Sequence, residues 1–557
     1  MAGVALSIPL PRDEERDLLR DLLRHLPLSG RGFWLSIAVL ATGASALFYG
    51  FSLEVRFGHA VTGQGSHGAI WGIIVANIVN FIGVSHVGIA ISAVVRLLRL
   101  KRYQQLARLA EFITLAAITT AVTNISMDVG RPERFIVNVL WYGRYTAPFV
   151  WSATVITTYV VGSSVYLYLA MRRDLWLCIT KVPSRRRFYG LLALGYQDTA
   201  ASRARHGRVV WWLAVVILPI MVSVHSVYGY IFGLQPGRPG WYNPFQAPYF
   251  VLGAIVSGFS TVLVVLAVLR KTMHWERFFA PRIFKGLGIF LGFVTLLYMY
   301  FLFSEYLTGT YASPAGERVV FQDVLFGRFA VVTWSAMVGG MLLPFALLFI
   351  QGVNTKIVSI PLTVVAAFLI NAGLWTIRTV VVVPTFYHPL LPWNVAPYTP
   401  ALAEWCIVIG SFFLFGLLLL ILIKTFPVLE LPEVEEDEHL AVYAPRMPLW
   451  KMLSVGGSAL AGVTLIATGI GHRLQPEFFH PPVIWLSGII LLLSVPFQIC
   501  VLPERLRTYA FRAQSAGLRL VSARRVTAAS SVASASHRVV LKAPLRAMPT
   551  ERLRPFQ

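Results

Sequence analysis

"NIVNFIGVSHVGIAISAVVRLLR", residues 77–99, carries one histidine and no formal charge before Arg96. An uncharged stretch of this length crosses a hydrocarbon core as a helix, because about 20 residues at roughly 1.5 Å rise each span the ~30 Å slab. Counting back from Arg96, His86 sits roughly 15 Å above the inner boundary, near mid-membrane. An imidazole at that depth needs a partner. Gly83, Ala90 and Ala93 lie near its own face, so this face packs inward, against helices or a ligand, and away from lipid. A structural histidine hydrogen-bonded to a neighbouring helix satisfies the same pattern.

The rest of the chain agrees with that segment. With 56% hydrophobic and 13% charged residues among 557, and a mean hydropathy of +0.67, it is excluded as a water-soluble globule and reads as an all-α polytopic membrane protein. Twelve apolar stretches have spanning length: 33–53, 69–95, 109–127, 147–170, 209–232, 247–269, 286–307, 321–350, 357–383, 401–423, 453–471 and 482–501. The expected organisation is an N-terminal segment 1–32, a ten-helix core 33–427, an acidic loop 428–452 containing "ELPEVEEDEH", an additional hairpin 453–501, and a basic tail 502–557. In the first segment Leu18, Leu19, Leu22, Leu23 and Leu26 form one helical stripe. It suits either an interfacial helix or a docking surface for a cytoplasmic subunit. The sequence "MAGVALSIPLPRDEERD" turns charged too early for a secretory signal.

The net charge of +23 is largely a topology signal. Alternate loops and both ends carry 38 Lys/Arg against 7 in the other loops, with Arg108, Arg328 and Arg378 within or at the edge of spans. Both termini are therefore expected on the cytoplasmic side of a bacterial inner membrane, and no nucleic-acid partner is needed to explain the charge. The tail has 11 Lys/Arg against Glu504 and Glu551, which fits simple disorder or attachment to anionic lipid headgroups. The three cysteines, Cys178, Cys406 and Cys500, lie far apart, with no spacing that holds an iron–sulfur cluster or a c-type haem.

The third span ends in "TNISMDVGRPERFI", residues 123–136, which sets Asp128, Arg131, Glu133 and Arg134 at the outer boundary. One reading is a polar turn in which Gly and Pro break the helix and the arginines meet headgroups. The other is a functional carboxylate at the rim.

Eight segments in order, "NFIGVSHVGIAISAVV", "RLAEFITLAA", "MDVGRPERF", "SSVYLYLAM", "SVHSVYGYIFG", "APYFVLGAIVSGF", "FSEYLTGTY" and "NAGLWTIRTVVVVP", resemble the NrfD/PsrC family. These are membrane subunits of polysulfide reductase, alternative complex III and related respiratory complexes. The resemblance covers roughly residues 33–427. It implies two four-helix bundles (helices 2–5 and 6–9) plus flanking helices, about twelve in all here, and a quinone or quinol, menaquinone or ubiquinone, bound in the first bundle towards the outer face. It also implies no haem or iron–sulfur cluster in the chain itself. The partners it implies are a ferredoxin-like iron–sulfur subunit on the extracytoplasmic side, a molybdopterin-type or related subunit, and other membrane subunits. The last two spans and the basic tail fall outside the family pattern.

Quinol oxidation removes two protons with two electrons, so the site needs groups that accept hydrogen bonds from hydroxyls and then take the protons. The resemblance points to His86 and Asp128 as the catalytic pair, with His86 accepting from one quinol oxygen. Asp128, partly desolvated and held by Arg131, passes protons outward. His225, Tyr142 and Tyr145 are further candidates for the pocket. Haem ligation by His86 and His225 is disfavoured by depth, about 15 Å against 24 Å from the inner boundary. In the second bundle Glu305, Asp323, Arg328 and Arg378 suggest an ion-pair clasp or a proton path. Two other classes fit twelve spans: a secondary transporter, for which no six-plus-six repeat is evident, and a non-catalytic membrane anchor of a redox complex.

Overall fold

The computed structural model describes residues 30–429, apart from 65–67, 101–102, 145, 355 and 392–394, together with isolated positions 23, 25, 26, 489, 492 and 495. Ten helices within this range are long and apolar enough to cross a membrane: α1 (Arg31–Phe57, continued to Val61 by a 3-10 turn), α2 (Ile73–Leu97), α3 (Gln104–Asp128), α5 (Pro148–Lys181), α7 (Ala200–Gly233), α8 (Gln246–Thr272), α9 (Pro281–Tyr311), α11 (Ala330–Val353), α12 (Ile360–Val382) and α13 (Leu402–Thr425). Three shorter helices intervene, α4 (Pro132–Tyr142), α6 (Arg186–Ala193) and α10 (Ala315–Phe326). The acidic loop, the basic tail and the two additional spans expected at 453–471 and 482–501 lie outside the described residues.

Local sequence explains the helix ends. Proline stands in the first turn of α4, α5, α9 and α12, where its missing N–H costs nothing. Thr199 and Ser359 cap α7 and α12 by accepting from the backbone N–H of Ser202 and Leu362.

The first bundle is α2, α3, α5 and α7, and the second is α8, α9, α11 and α12. The two join where α2 meets α8 and α12 and where α7 meets α8, while α1 pairs with α13, which leans on α3. Helix α2 is the axis of the assembly: its residues are buried almost all round, which is why its sequence is apolar on every face. Its closest neighbour is α3. A Cβ on Gly88 would fall 1.9 Å from the Ala110 carbonyl oxygen, so only glycine allows the two backbones this approach.

Two sequence expectations change here. The apolar run 321–350 is not one span: α10 ends at Phe326, and Asp323 accepts the backbone N–H of Arg328 at 2.7 Å to close a turn before α11 begins at Ala330. Asp323 and Arg328 therefore lie outside the spanning helix, because Gly327 and this carboxylate cap break a run that composition alone leaves continuous. In the N-terminal stripe, Leu23 and Leu26 are buried in the protein core. Beside them Lys424 donates to the His25 carbonyl at 2.6 Å. Leu18, Leu19 and Leu22 lie outside the described residues.

Candidate functional site

A cavity of about 990 Å³ opens between α2, α3, α5 and α7 at the end of the bundle that carries Asp128, with α4 along its rim. Its walls are mostly aliphatic and aromatic. Trp71 stacks on Trp241 at 5.4 Å and meets Phe232 edge-on, and Trp71 and Phe232 both face the space. The polar groups are few: Gln64, Asp128, Ser126, Asn138, Ser152 and the rim residues His59, Arg131 and Arg134 supply most of them. An apolar chamber with a small number of placed polar groups is the usual form of a small-molecule site.

Asp128 reaches this wall because α3 ends on it. Gly130, at φ +69°, turns the chain, and Pro132 starts α4. The Gln64 amide donates to its Oδ1 at 3.3 Å. Arg131 also lines the cavity but is exposed, and among the described residues no Asp128–Arg131 ion pair forms. The partner of Asp128 is thus Gln64. Two further carboxylates stand nearby. Glu54 is buried, with one oxygen lacking a hydrogen-bond partner, and interacts electrostatically with Asp128 and Glu404. Glu404 is fully committed: it accepts from the Gly63 and Ala401 N–H groups and from the Tyr398 hydroxyl.

His86 and His225 do not line the cavity. They form their own buried group, with ring centroids 4.5 Å apart in an edge-to-face arrangement and His86 stacked on Tyr159 at 4.7 Å. Ile156 and Tyr228 face the cavity, and Tyr159 and His225 lie one turn deeper on the same helices, roughly 4.5 Å further in. The His86 Nδ1–H donates to the Ile82 carbonyl. The Met221 carbonyl lies near the same ring, and neither ring nitrogen of His225 has a hydrogen-bond partner among the described residues.

The depth argument against a histidine pair is corrected by this contact. Counting residues from an assumed boundary ignored that α7 starts at Ala200, well before its apolar run, and contains Pro219. Rings 4.5 Å apart nonetheless leave no room for a porphyrin plane between them.

Tyr142 is 75% exposed and does not line the chamber. Tyr145 lies outside the described residues. In the second bundle the four candidate charges do not form a clasp. Arg378 donates to Asn80 of α2 at 2.5 Å and to the Gly253 carbonyl and Ser257 of α8, tying the bundles together through neutral oxygens. Glu305 accepts from Gln246 at 3.0 Å. Asp323 pairs with His388 at 2.8 Å, and Arg328 lies over the Tyr387 ring at 4.4 Å.

Comparison with known proteins fits this architecture. The polysulphide reductase NrfD family profile matches residues 62–389. The chain belongs to the NrfD family. It is 32% identical over 319 residues, 57% of this chain and 69% of the relative, to a Halobacterium salinarum protein named as a membrane subunit of dimethyl sulfoxide reductase. It is 25% identical over 418 residues, 72% and 95% of the two chains, to the Hdr-like menaquinol oxidoreductase integral membrane subunit of Archaeoglobus fulgidus. A selenate reductase subunit of Mesobacillus selenatarsenatis is 22% identical over 386 residues, 66% and 88%. As an NrfD-family protein the chain is a multi-pass membrane protein, and the matched region holds Gln64, His86, Asp128, His225 and Arg378.

Gln64, Glu54, Tyr159 and the Trp71 wall escaped sequence reading. Gln64 sits in a polar loop with no periodicity. Glu54, at the end of an apolar run, carried the signal that could have been used, since an intramembrane carboxylate invites a search for its neighbours.

Proposed function

We propose that this chain is the quinone-binding membrane subunit of a respiratory oxidoreductase, exchanging electrons between the quinone pool and an iron–sulfur subunit docked on the extracytoplasmic face. The observation that carries this reading is the 990 Å³ aromatic-walled cavity with the Asp128–Gln64 pair in its wall. Its volume and lining suit an aromatic headgroup carrying oxygens. Relatives named as a menaquinol oxidoreductase subunit and as reductase subunits support the same class.

Bound quinol would supply two electrons and two protons. Asp128 is placed to accept a hydrogen bond and then a proton, with Gln64 holding one of its oxygens. Arg131 and Arg134 keep the mouth of the cavity positive. The His86–His225 pair lies one turn beneath the cavity floor. A proton reaches it through a water or by a side-chain movement at Ile156 or Tyr228. Asp128 is therefore the first acceptor and the histidine pair the second. This order revises the sequence expectation, which set His86 directly on the quinol oxygen.

Asp128→Asn keeps size and the Gln64 contact but removes the base. In the intact complex it should lower quinol oxidation by roughly 100-fold or more, with assembly unchanged on gel filtration. Full turnover in this variant would overturn the reading. Co-purification separates it from the transporter class, since a quinone subunit needs its iron–sulfur partner and a transporter moves substrate alone.

Coupling to proton movement is a second reading, favoured by the buried group of Glu305, Tyr298 and Tyr249, whose two hydroxyls are 2.6 Å apart. Glu305→Gln, with oxidation and proton release measured separately, tests it. Release lost while oxidation persists supports coupling, and loss of both assigns Glu305 a structural role.

A further inference from the structure

At the opposite end of the first bundle a second cavity, of about 710 Å³, has an unusual lining: Arg96, Arg99, Arg108, Arg173 and Arg203 face it with one carboxylate, Asp174. Ion pairing accounts for part of this charge. Glu111 meets Arg96 and Arg108 at 3.3 Å each, Asp174 meets Arg108 at 3.1 Å, and Asp198 meets Arg173 at 3.3 Å and Arg203 at 3.4 Å. Among the described residues three carboxylates thus face five guanidinium groups, which leaves an excess of two positive charges. Arg99 makes no ion pair among the described residues, is exposed, and is held in the left-handed region at φ +52°.

A different observation says what kind of anion belongs here. An apolar groove of about 420 Å³ adjoins the arginine cavity, sharing Val95 and Leu100 with it. The groove runs along the seam between the bundles, past Ala90 and Val94 of α2, Leu218 of α7, Phe259 of α8 and Phe290 of α9. Fixed positive charge beside a continuous apolar slot matches a molecule that is anionic at one end and aliphatic at the other. Basic pockets between membrane helices on the side rich in Lys/Arg hold anionic lipid headgroups on these terms. Phosphate is the chemistry the arginines would recognise, by bidentate hydrogen bonding. A free phosphate would use the arginines and leave the groove without a purpose.

We propose that the two cavities together form a binding site for one anionic phospholipid, with its phosphate among Arg99, Arg203 and Arg173 and an acyl chain in the inter-bundle groove. The lipid would neutralise the local charge excess and fill the seam between α2, α7, α8 and α9.

The test uses the full chain with its associated subunits in detergent. Native mass spectrometry and thermal melting are followed with added phosphatidylglycerol, phosphatidylcholine or inorganic phosphate alone. Phosphatidylglycerol should be retained and raise the melting midpoint, and phosphatidylcholine should do neither. Arg99→Gln combined with Arg203→Gln leaves the buried Arg108–Glu111–Asp174 set intact and should weaken retention by roughly ten- to thirty-fold. Ala90→Phe, which fills the groove without touching an arginine, should weaken it as well. Equal retention of the two lipids overturns the proposal, as does an equal midpoint shift from inorganic phosphate alone. So does wild-type retention of phosphatidylglycerol by both folded variants.

Discussion

Arg378 shows how one side chain in this protein acts on a distance scale larger than itself. Its guanidinium reaches Gly253 and Ser257 on α8 within its own bundle and Asn80 on α2, so the contact with Asn80 crosses the boundary between the bundles. A lysine ammonium carries the charge but not the planar fork. Arg378→Lys should therefore cost roughly 1–3 kcal/mol of stability, read as a lower midpoint in thermal or detergent denaturation, with the separate bundles still helical by circular dichroism. The sequence made Arg378 conspicuous as an intramembrane charge, and it suggested an acidic partner by the rule that buried charges pair. The partners are instead neutral oxygens, which no spacing announces. His86 was legible in the same limited way: its depth and small-residue face were readable, but its contact with His225 depends on the offset of two helices far apart in the chain. Asp128 was the most legible, because the break after it is local.

Among the elements, α10 offers a contrast in the titration of two acids. Burial pushes the Glu317 carboxyl up, although the Gly240 N–H opposes this by donating to it. Burial would also raise Asp323, but hydrogen bonds from His388 and the Arg328 N–H, and the charges of both residues, outweigh it and hold the carboxyl below its usual value. The signs are opposite. A raised acid favours the folded state at low pH and loses that contribution as pH climbs through its folded pKa. A depressed acid contributes above its unfolded pKa, near 3.9 for Asp, and loses that contribution as pH falls through the folded one. At neutral pH Glu317→Gln should raise the melting midpoint and Asp323→Asn should lower it, and both differences should shrink towards pH 3. Helix α10 itself was invisible in the sequence, since an apolar run that continues from it into α11 hides the turn at Gly327. The ten spans were readable because length and hydropathy are the physical requirements for crossing, whereas short boundary helices such as α4 and α6 meet neither.

For the whole molecule, the loop charges predict an orientation. Cysteines introduced at Arg186, between α5 and α7, and at Gly237, between α7 and α8, should lie on opposite sides. A membrane-impermeant maleimide should modify Gly237→Cys in intact spheroplasts and Arg186→Cys only after lysis. The reverse pattern would invert the topology and put the Asp128 cavity on the cytoplasmic face. That two bundles form was an expectation from family resemblance and not from periodicity, because helix-to-helix pairing is decided by small residues whose matching faces cannot be read from one strand of text. The pairing of α1 with α13 is such a case. A Cβ on Gly410 would fall 2.4 Å from the Leu47 backbone nitrogen, and one on Gly50 would fall 2.5 Å from the Ala403 carbonyl oxygen, so the two helices meet at bare backbone. The first begins at residue 31 and its mate at residue 402. At ordinary ribosomal rates the early helix waits roughly 20–75 s for the late one. During that interval its glycine face has no mate, so a chain truncated before α13 should be lost faster than the full-length protein in a pulse-chase experiment.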